Sequence, residues 1–441
     1  MSQQGIRNAK TLGYPKMLLL GFQHMFAMFG ATVLVPALTG LSVSVTLLFA
    51  GLGTLLFHFL TKGKVPAFLG SSFAFIGGYA AVQTMCGNYA DIANWIPYAC
   101  VGVMCAGAVY GILAALFKAF GAAKVMRFFP PIVTGPVIIC IGMTLANSAI
   151  NNCVTNWWIA VLAIAIVIAA NIWGKGMIKI IPILLGVVGS YLVAALCGQV
   201  DFTAVKDAAW IGLPVVWEET ALSLFSGCNG SALLSAIIIM MPIALATIVE
   251  HIGDMCAISS TVGENYVAQP GLHRTLLGDG CATALAALFG APANTTYGEN
   301  TGVLALTKVY DPLVVRIAAV LAILFSFSPK FAALVSCMPA ATIGGVSLIL
   351  YGMISAVGVR NVVENQVDFT KSRNVIIAAL IMSLSLGITF SKAGALVLGP
   401  ISLSGLAVGA LVGIILNAVL PGNDYVFGKN EQGDESVNFK V

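Results

Sequence analysis

Charged residues are scarce in this sequence. Only 9% of its 441 residues are charged and 59% are hydrophobic, whereas a soluble globular protein carries about a quarter charged residues. So little charge cannot cover the surface of a water-soluble fold, which excludes the soluble classes of protein. The formal net charge of +4 is spread along the chain without a basic block, so we expect no nucleic-acid partner.

Paired cysteine motifs and catalytic dyads are also lacking. The ten cysteines are scattered, mostly inside apolar runs, and none has metal-ligand spacing, so we expect buried thiols, no metal and no cofactor. Glu250-His251 lacks the second histidine that an intramembrane metalloprotease requires, and no Ser–His pairing stands out. The sequence therefore predicts a protein that is not an enzyme.

Long apolar runs fill most of the chain. A membrane span requires roughly 20 apolar residues. Fourteen segments qualify, at 16–39, 43–61, 66–84, 94–119, 130–149, 155–174, 179–198, 232–257, 273–291, 293–307, 312–329, 339–357, 374–391 and 396–420. The fold class that they predict is an all-α polytopic membrane protein with fourteen transmembrane segments. The third and tenth are short, rich in small polar residues, and each follows a proline.

The distribution of Lys and Arg predicts the orientation. With the N-terminus in the cytoplasm and loops assigned alternately, only Lys206, Lys330 and Lys392 of the 21 cationic residues fall outside. This bias follows the positive-inside rule. It predicts a multi-pass protein of the plasma membrane with both termini in the cytoplasm.

Short echoes indicate an internal repeat of seven segments. Residues 71–75 in segment three parallel 295–299 in segment ten, and Gln23-His24 in segment one parallels Glu250-His251 in segment eight. Gly135 and Gly142 in segment five likewise echo positions 345 and 352 in segment twelve. Because seven is odd, the second repeat must be inverted, an arrangement typical of transporters that bind substrate between the repeats.

Four acidic residues lie inside the predicted segments: Glu250, Asp254, Asp279 and Glu299. A charge at the bilayer centre costs at least about 2.5 kcal/mol, so such a carboxylate is by default a functional hypothesis. Glu250 and Asp254 share one helix face, whereas His251 projects about 100° away and we interpret it as a supporting residue. Clustered carboxylates cannot all ionise cheaply, which predicts proton coupling through Glu250, Asp254 and Glu299.

The two short segments predict the other half of a binding site. Irregular backbone at membrane depth is tolerated where it is buried in protein or lines a cavity, and a half-helix that starts there offers free N–H groups. Phe73 and Tyr297 can add aromatic faces. Carboxylate acceptors, N–H donors and the absence of Lys or Arg favour a planar neutral ligand such as a nucleobase. A channel or an anion exchanger would need carbonyl rings or a basic residue.

The motifs resemble those of the nucleobase–ascorbate transporter family, also called nucleobase:cation symporter-2. The resemblance rests on Glu299-Asn300-Thr301-Gly302, on Thr307-Lys308, and on stretches 23–30, 70–75, 270–274, 294–300 and 344–352. It covers about residues 15–420 and is closer still to the bacterial uracil permeases of that family.

The resemblance implies a domain organisation. A core domain would comprise 16–119 and 232–329, a gate domain 130–198 and 339–420, and a cytoplasmic tail 421–441. Short strands in segments three and ten would pair at the centre. The resemblance also implies a homodimer in a bacterial inner membrane that imports a nucleobase, in the first place uracil, by proton symport as the core moves against the gate.

The resemblance also implies roles for individual residues. Its substrate-binding carboxylates match Glu250 and Glu299, its backbone donors match Phe73 and Gly298, its aromatics match Tyr297 and Tyr351, and Ser72, His251 and Asn300 would support them. One position departs from the pattern. Bacterial uracil permeases carry histidine where this chain has Asp254, and aspartate there is similar to the purine branch, so xanthine or uric acid stays an alternative substrate.

Overall fold

Helices dominate the computed structural model, which describes residues 5–398, 401–422 and 425. The predicted tail 421–441 therefore lies almost wholly outside the described residues. The α-helices are α1 (Tyr14–Thr39), α2 (Val43–Leu60), α3 (Ile76–Cys86), α4 (Ile96–Phe120), α5 (Ala122–Met126), α6 (Pro131–Val154), α7 (Trp157–Ile172), α8 (Met177–Ile180), α9 (Pro182–Leu196), α10 (Thr203–Asp207), α11 (Gly230–Met240), α12 (Ala244–Val262), α13 (Leu272–Leu288), α14 (Gly298–Thr307), α15 (Pro312–Ser326), α16 (Pro329–Ser336), α17 (Ala340–Glu364), α18 (Ser372–Thr389) and α19 (Gly405–Val419).

Strands and tight helical turns connect them. The strands are β1 (Leu69–Ser71), β2 (Asn294–Thr296), β3 (Ala395–Leu398) and β4 (Ile401–Ser404). Turns of 3-10 helix lie at Ala9–Leu12, Phe73–Phe75, Trp217–Glu219, Ala221–Ser226 and Met241–Ile243, and a π-helical turn lies at Val267–Gly271.

Seven helical spans in the described part of the chain are long and apolar enough to cross a membrane by themselves, and an eighth results if α15 and α16, which meet at 89°, count as one. These spans are α1, α2, α4, α6, α17, α18, and α11 with α12 taken together. The remaining predicted segments contain shorter helices such as α7, α9 and α19. The mostly helical, membrane-spanning class is confirmed, while the count of fourteen spans and the inverted repeat stay predictions.

Two predicted segments differ from single helices. The eighth is two helices, α11 and α12, joined by a 3-10 turn that contains Pro242, which cannot donate an intrahelical hydrogen bond. The fourteenth begins as an antiparallel hairpin of β3 and β4, with Ala395 opposite Ser404, and becomes helical only at Gly405.

The strands predicted in segments three and ten are confirmed. β1 and β2 pair antiparallel, with Leu69 opposite Thr296 and Ser71 opposite Asn294. Two further bonds extend the ladder, from Ser72 N to the Ala293 carbonyl at 2.8 Å and from Tyr297 N to the Phe68 carbonyl at 2.9 Å. The chain then turns helical on both sides, through residues 73–75 into α3 and directly into α14.

The helices pack in two groups. α2, α4, α13 and α15 pack on one another, with α1 against α15, while α6, α7, α9, α17, α18 and α19 form the second set of neighbours. In the second group α6 and α17 cross closely. There a Cβ on Gly358 would lie 2.6 Å from the Ile139 nitrogen and 2.7 Å from the Gly135 carbonyl oxygen. Small residues at such crossings allow helix backbones to come close in a membrane.

Gly358→Ala should therefore lower the thermal stability of the purified protein. Its methyl group would meet backbone atoms that cannot rotate away, and overpacking of this kind costs about 1–3 kcal/mol. Gly352→Ala on the same helix is the matched control, because a Cβ there has nothing within 4 Å. The control should be neutral or gain up to about 1 kcal/mol in helix propensity. Equal unfolding temperatures for the two variants would show that the crossing is looser than described.

Candidate functional site

The paired strands are surrounded by helices. α1 and α2 contact β1, and α12 and α13 contact β2. The Tyr297 hydroxyl donates to the Ser71 carbonyl at 2.8 Å and lies 3.2 Å from Ser71 Oγ. A Cβ on Gly70 would lie 2.6 Å from the Tyr297 ring. Glycine at position 70 therefore allows Tyr297 to lie across β1 and to fix the two strands together.

A buried polar chain runs from Asp254 to Asp279. Thr296 Oγ1 donates to Asp254 Oδ2 at 3.0 Å, and it also lies 3.4 Å from His251 Nδ1. His251 Nδ1 lies 3.2 Å from Asp279 Oδ2, and both side chains are fully buried. The Thr296 hydroxyl donates to Asp254, and the His251 ring lies between Thr296 and Asp279. One threonine thus links two carboxylates through a histidine.

The other predicted acids lie beside this chain. Glu250 is one helical turn before Asp254 and is partly buried. Gly298, the first residue of α14, is exposed, and a Cβ on it would lie 3.6 Å from Asp254 Oδ1. Glu299 follows in the first turn of α14, but its side chain lies outside the described part of the structure.

Asn300 connects α14 to α1. Its Nδ2 donates to the His24 carbonyl at 3.0 Å and lies 3.1 Å from His24 Nδ1, and both residues are buried. The start of α14 is therefore fixed to the middle of α1. No signal in the sequence linked His24 to Asn300.

Phe73 and Tyr351 bring the two helix groups together. Their ring centroids are 5.9 Å apart at 75°, an edge-to-face contact. Phe73 follows Ser72 in the turn that leads from β1 to α3, whereas Tyr351 lies on α17. Both side chains are buried. This aromatic contact forms a wall between the strand pair and α17.

Among the described residues, few side chains compete for the backbone N–H groups at the starts of the Phe73–Phe75 turn and of α14. Within the described residues, neither Ser72 before the Phe73–Phe75 turn nor Tyr297 before α14 supplies a side-chain cap. The first N–H groups of a helix lack intrahelical partners. The site therefore combines backbone donors, carboxylate acceptors and aromatic faces, a set that suits a ligand with both N–H and C=O groups.

Sequence reasoning missed the role of Thr296. Threonine in a run of small polar residues carries no signal of its own, and only the register of β2 places it between Asp254 and His251. Asp279 is one of the four acidic residues inside the predicted segments. The structure pairs it with His251, which connects it to the same polar chain.

Comparison with known proteins is decisive on the family. The model of the permease family (Xan_ur_permease) matches residues 15–394. The chain belongs to this family. As a permease it is a multi-pass membrane transporter and not an enzyme. Uracil permease of Bacillus subtilis (strain 168) is 40% identical over 432 residues, with 95% of this chain and 94% of that protein covered. Uracil permease of Escherichia coli (strain K12) is 36% identical over 411 residues, with 91% and 90% covered.

Solved structures show the same fold at low identity. The transmembrane domain of the cyanobacterium bicarbonate transporter BicA has a TM-score of 0.58 at 15% identity and covers 94% of this chain and 100% of that one. SLC26A9 has a TM-score of 0.63 at 13% identity and covers 93% of this chain and 66% of that one. At such identities the similarity concerns the fold alone.

Thr296→Val should destabilise the permease. The substitution keeps the shape but removes a hydrogen bond to a carboxylate, which is worth about 1.5–3 kcal/mol. Thr295→Val is the matched control, since Thr295 Oγ1 has no hydrogen-bond partner among the described atoms. Unfolding of the two purified variants in the same detergent tests this. If both lose the same stability, the Thr296–Asp254 bond contributes nothing.

Proposed function

We propose that this permease imports a nucleobase, in the first place uracil, together with a proton. The observation that carries the proposal is the strand pair whose half-helix starts at Gly298, beside the chain of Asp254, Thr296 and His251. No Lys or Arg occurs in β1, β2, residues 250–254 or residues 297–302, so these stretches supply no Lys or Arg to bind an anion. The 40% identity to a uracil permease over 95% of the chain supports the choice of base.

Recognition would use both edges of the base. Uracil presents N–H donors flanked by carbonyl acceptors. Glu250 and Glu299 would accept from its N–H groups, and the backbone N–H groups of Phe73 and Gly298 would donate to its carbonyls. The Phe73 ring would contact one face of the base, with Tyr351 behind it at 5.9 Å between ring centroids. Ser72, Tyr297 and Asn300 would hold the two strand–helix junctions in register.

Transport would move one helix group against the other. The first helix group corresponds to a core domain of 16–119 and 232–329, and the second to a gate domain of 130–198 and 339–420. The packing of the helices in two groups supports alternating access, because the strand pair belongs to the first group and Tyr351 to the second. The proposal includes fourteen spans in two inverted repeats, both termini in the cytoplasm, a bacterial inner membrane and a homodimer.

Asp254→Asn should impair accumulation more than exchange. Asparagine still accepts a hydrogen bond from Thr296 but cannot take up and release a proton. Proton coupling should therefore fail, while the structure of the substrate-free protein is kept. The measurement is proton-driven uptake of labelled uracil into proteoliposomes against exchange of labelled for unlabelled uracil. Asp368→Asn, in an exposed loop, is the control. Normal accumulation against a gradient by Asp254→Asn would exclude Asp254 as the proton carrier.

Glu299→Gln should weaken uracil binding roughly ten- to a hundredfold. The substitution replaces a charged acceptor, worth about 1.5–3 kcal/mol, by a weaker amide oxygen and a donor. Glutamine is the residue that the purine branch of the family commonly has at this position, so xanthine binding should improve. Binding of both bases to purified wild type and variant tests this, with Glu364→Gln, which lies beside Arg360, as the control. Unchanged uracil affinity in a folded Glu299→Gln variant would remove Glu299 from the ligand set.

A purine is the second candidate substrate, and the observation that favours it is Asp254 itself. The purine branch of the family also has aspartate at this position. Here Asp254 accepts a hydrogen bond from Thr296 at 3.0 Å, beside the start of α14. Competition of labelled uracil uptake by unlabelled xanthine and uric acid separates the two candidates. Strong inhibition by a purine with weak inhibition by uracil would reverse the assignment.

A further inference from the structure

The N-terminal strap, residues 5–12, connects the ends of two helices that carry the candidate site. Its backbone pairs with the chain that leaves α14: Ile6 N donates to the Lys308 carbonyl at 2.7 Å, and Tyr310 N donates to the Ile6 carbonyl at 2.8 Å. These two bonds form a parallel bridge between Ile6 and Val309. Lys308 ends α14 in the left-handed region, with a φ of 54°, and the residues after it run beside the strap.

A buried contact also fixes the strap. Ala9 N donates to Asp311 Oδ2 at 2.8 Å, while Oδ1 of the same carboxylate accepts from Leu313 N at 2.9 Å, at the start of α15. Ala9 is fully buried, in a small apolar cluster with Met17 and Val314. One carboxylate thus holds the strap and caps α15 at the same time.

Arg7 joins the strap to α12. Its guanidinium forms an ion pair with Glu264, which follows the end of α12, and donates to the carbonyl of Val262, the last residue of that helix, at 3.3 Å. Both charged side chains are partly exposed, and solvent weakens an ion pair of this kind. Arg7 is therefore the contact at which the strap can be separated from α12 while its bonds to Lys308, Tyr310 and Asp311 are kept.

The two helices connected by the strap are those that hold Asp254 and Gly298. α12 and α14 pack against each other, and at the site Thr296 Oγ1 donates to Asp254 Oδ2 at 3.0 Å. The strap contacts Val262, eight residues after Asp254, and Lys308, ten residues after Gly298. At about 1.5 Å per residue these contacts lie roughly 12 to 15 Å from the site. The helix pair is therefore joined at both ends, by the site and by the strap.

We propose that the N-terminal strap is a positioning element of the binding site. By joining the far ends of α12 and α14, it sets the distance between the Asp254 carboxylate and the backbone N–H groups at the start of α14. A displacement of about 1 Å caused by a change far from a site is enough to impair groups that must be held in position. Arg7 touches no ligand and acts through α12. Its effect on ligand binding rests on the proposed function, whereas the coupling between the strap and the site does not.

The coupling is measured without a ligand, as a double-variant cycle in unfolding temperature. Thr296→Val removes the bond to Asp254, and Arg7→Ala releases α12 from the strap. Independent sites this far apart give additive losses, whereas positioning predicts that the loss from Thr296→Val falls to roughly half in the Arg7→Ala background. Lys10→Ala, at an exposed cation of the same segment, is the control background and should leave that loss unchanged. Additive shifts for Arg7→Ala and Thr296→Val would overturn the proposal.

Charge reversal separates positioning from a general loss of stability. Arg7→Glu should weaken uracil binding to the purified protein roughly two- to fivefold, the ratio that corresponds to an exposed ion pair of about 1 kcal/mol or less. Arg7→Glu combined with Glu264→Arg re-forms the pair in reverse and should restore the affinity, and Lys10→Glu should bind as the wild type does. Unchanged affinity in Arg7→Glu, or no recovery in the double variant, would overturn the role of Arg7. If the wild type binds no uracil, the proposed substrate is wrong, and the ligand-free cycle still decides the role of the strap.

Hydrogen exchange of the wild type tests the same coupling from the side of the ligand. Coupling between two sites is reciprocal, so bound uracil should stabilise the strap. The amides of Ile6 and Tyr310, which form the bridge, should exchange several-fold more slowly with saturating uracil, whereas those of the exposed loop at 368–371 should not change. Equal exchange at Ile6 and Tyr310 with and without bound uracil would overturn the positioning role.

Discussion

The antiparallel pairing of β1 and β2, both buried among the helices, is the constraint on which the rest of the structure depends. No water in the hydrocarbon core can satisfy an open N–H or carbonyl. The backbone N–H and carbonyl groups on the facing edges of β1 and β2 bond to each other. Neighbouring side chains bond to backbone groups on the outer edges. Thr54 Oγ1 accepts from Leu69 N at 2.9 Å, and Thr283 Oγ1 donates to the Asn294 carbonyl at 2.7 Å. Polar residues on α2 and α13 therefore complete the backbone hydrogen bonding of the strand pair.

The same constraint creates the polar centre. A helix continued through residues 294–297 would use its N–H groups internally, whereas the strand releases those at the start of α14. The strand register also directs Thr296 towards α12, where it meets Asp254 and His251. The acidic residues of α12 and the donors of α14 are thus adjacent because the chain is extended for three residues.

Much of this arrangement could be predicted from the sequence. The in-span acids Glu250, Asp254 and Asp279 stood out because charge is so rare in the apolar segments, and the Ser- and Thr-rich stretches marked the breaks. The partners could not be predicted, because they depend on contacts between distant segments. His24 with Asn300, and Thr296 with Asp254, are joined by packing that has no local pattern. The β3–β4 hairpin was hidden for a different reason, since its strands are as apolar as a helix.

The antiparallel strand pair also sets an order for biogenesis. Ser71 and Tyr297 are 226 positions apart, and synthesis at about 5–20 residues per second separates them by roughly 10 to 45 s. During that interval β1 lacks its partner. Thr54 can cover Leu69 from the neighbouring helix α2, but the groups that face β2 require another shelter. The first half of the nascent chain must therefore wait, protected from lipid by water or by the insertion machinery, until the second half closes around it.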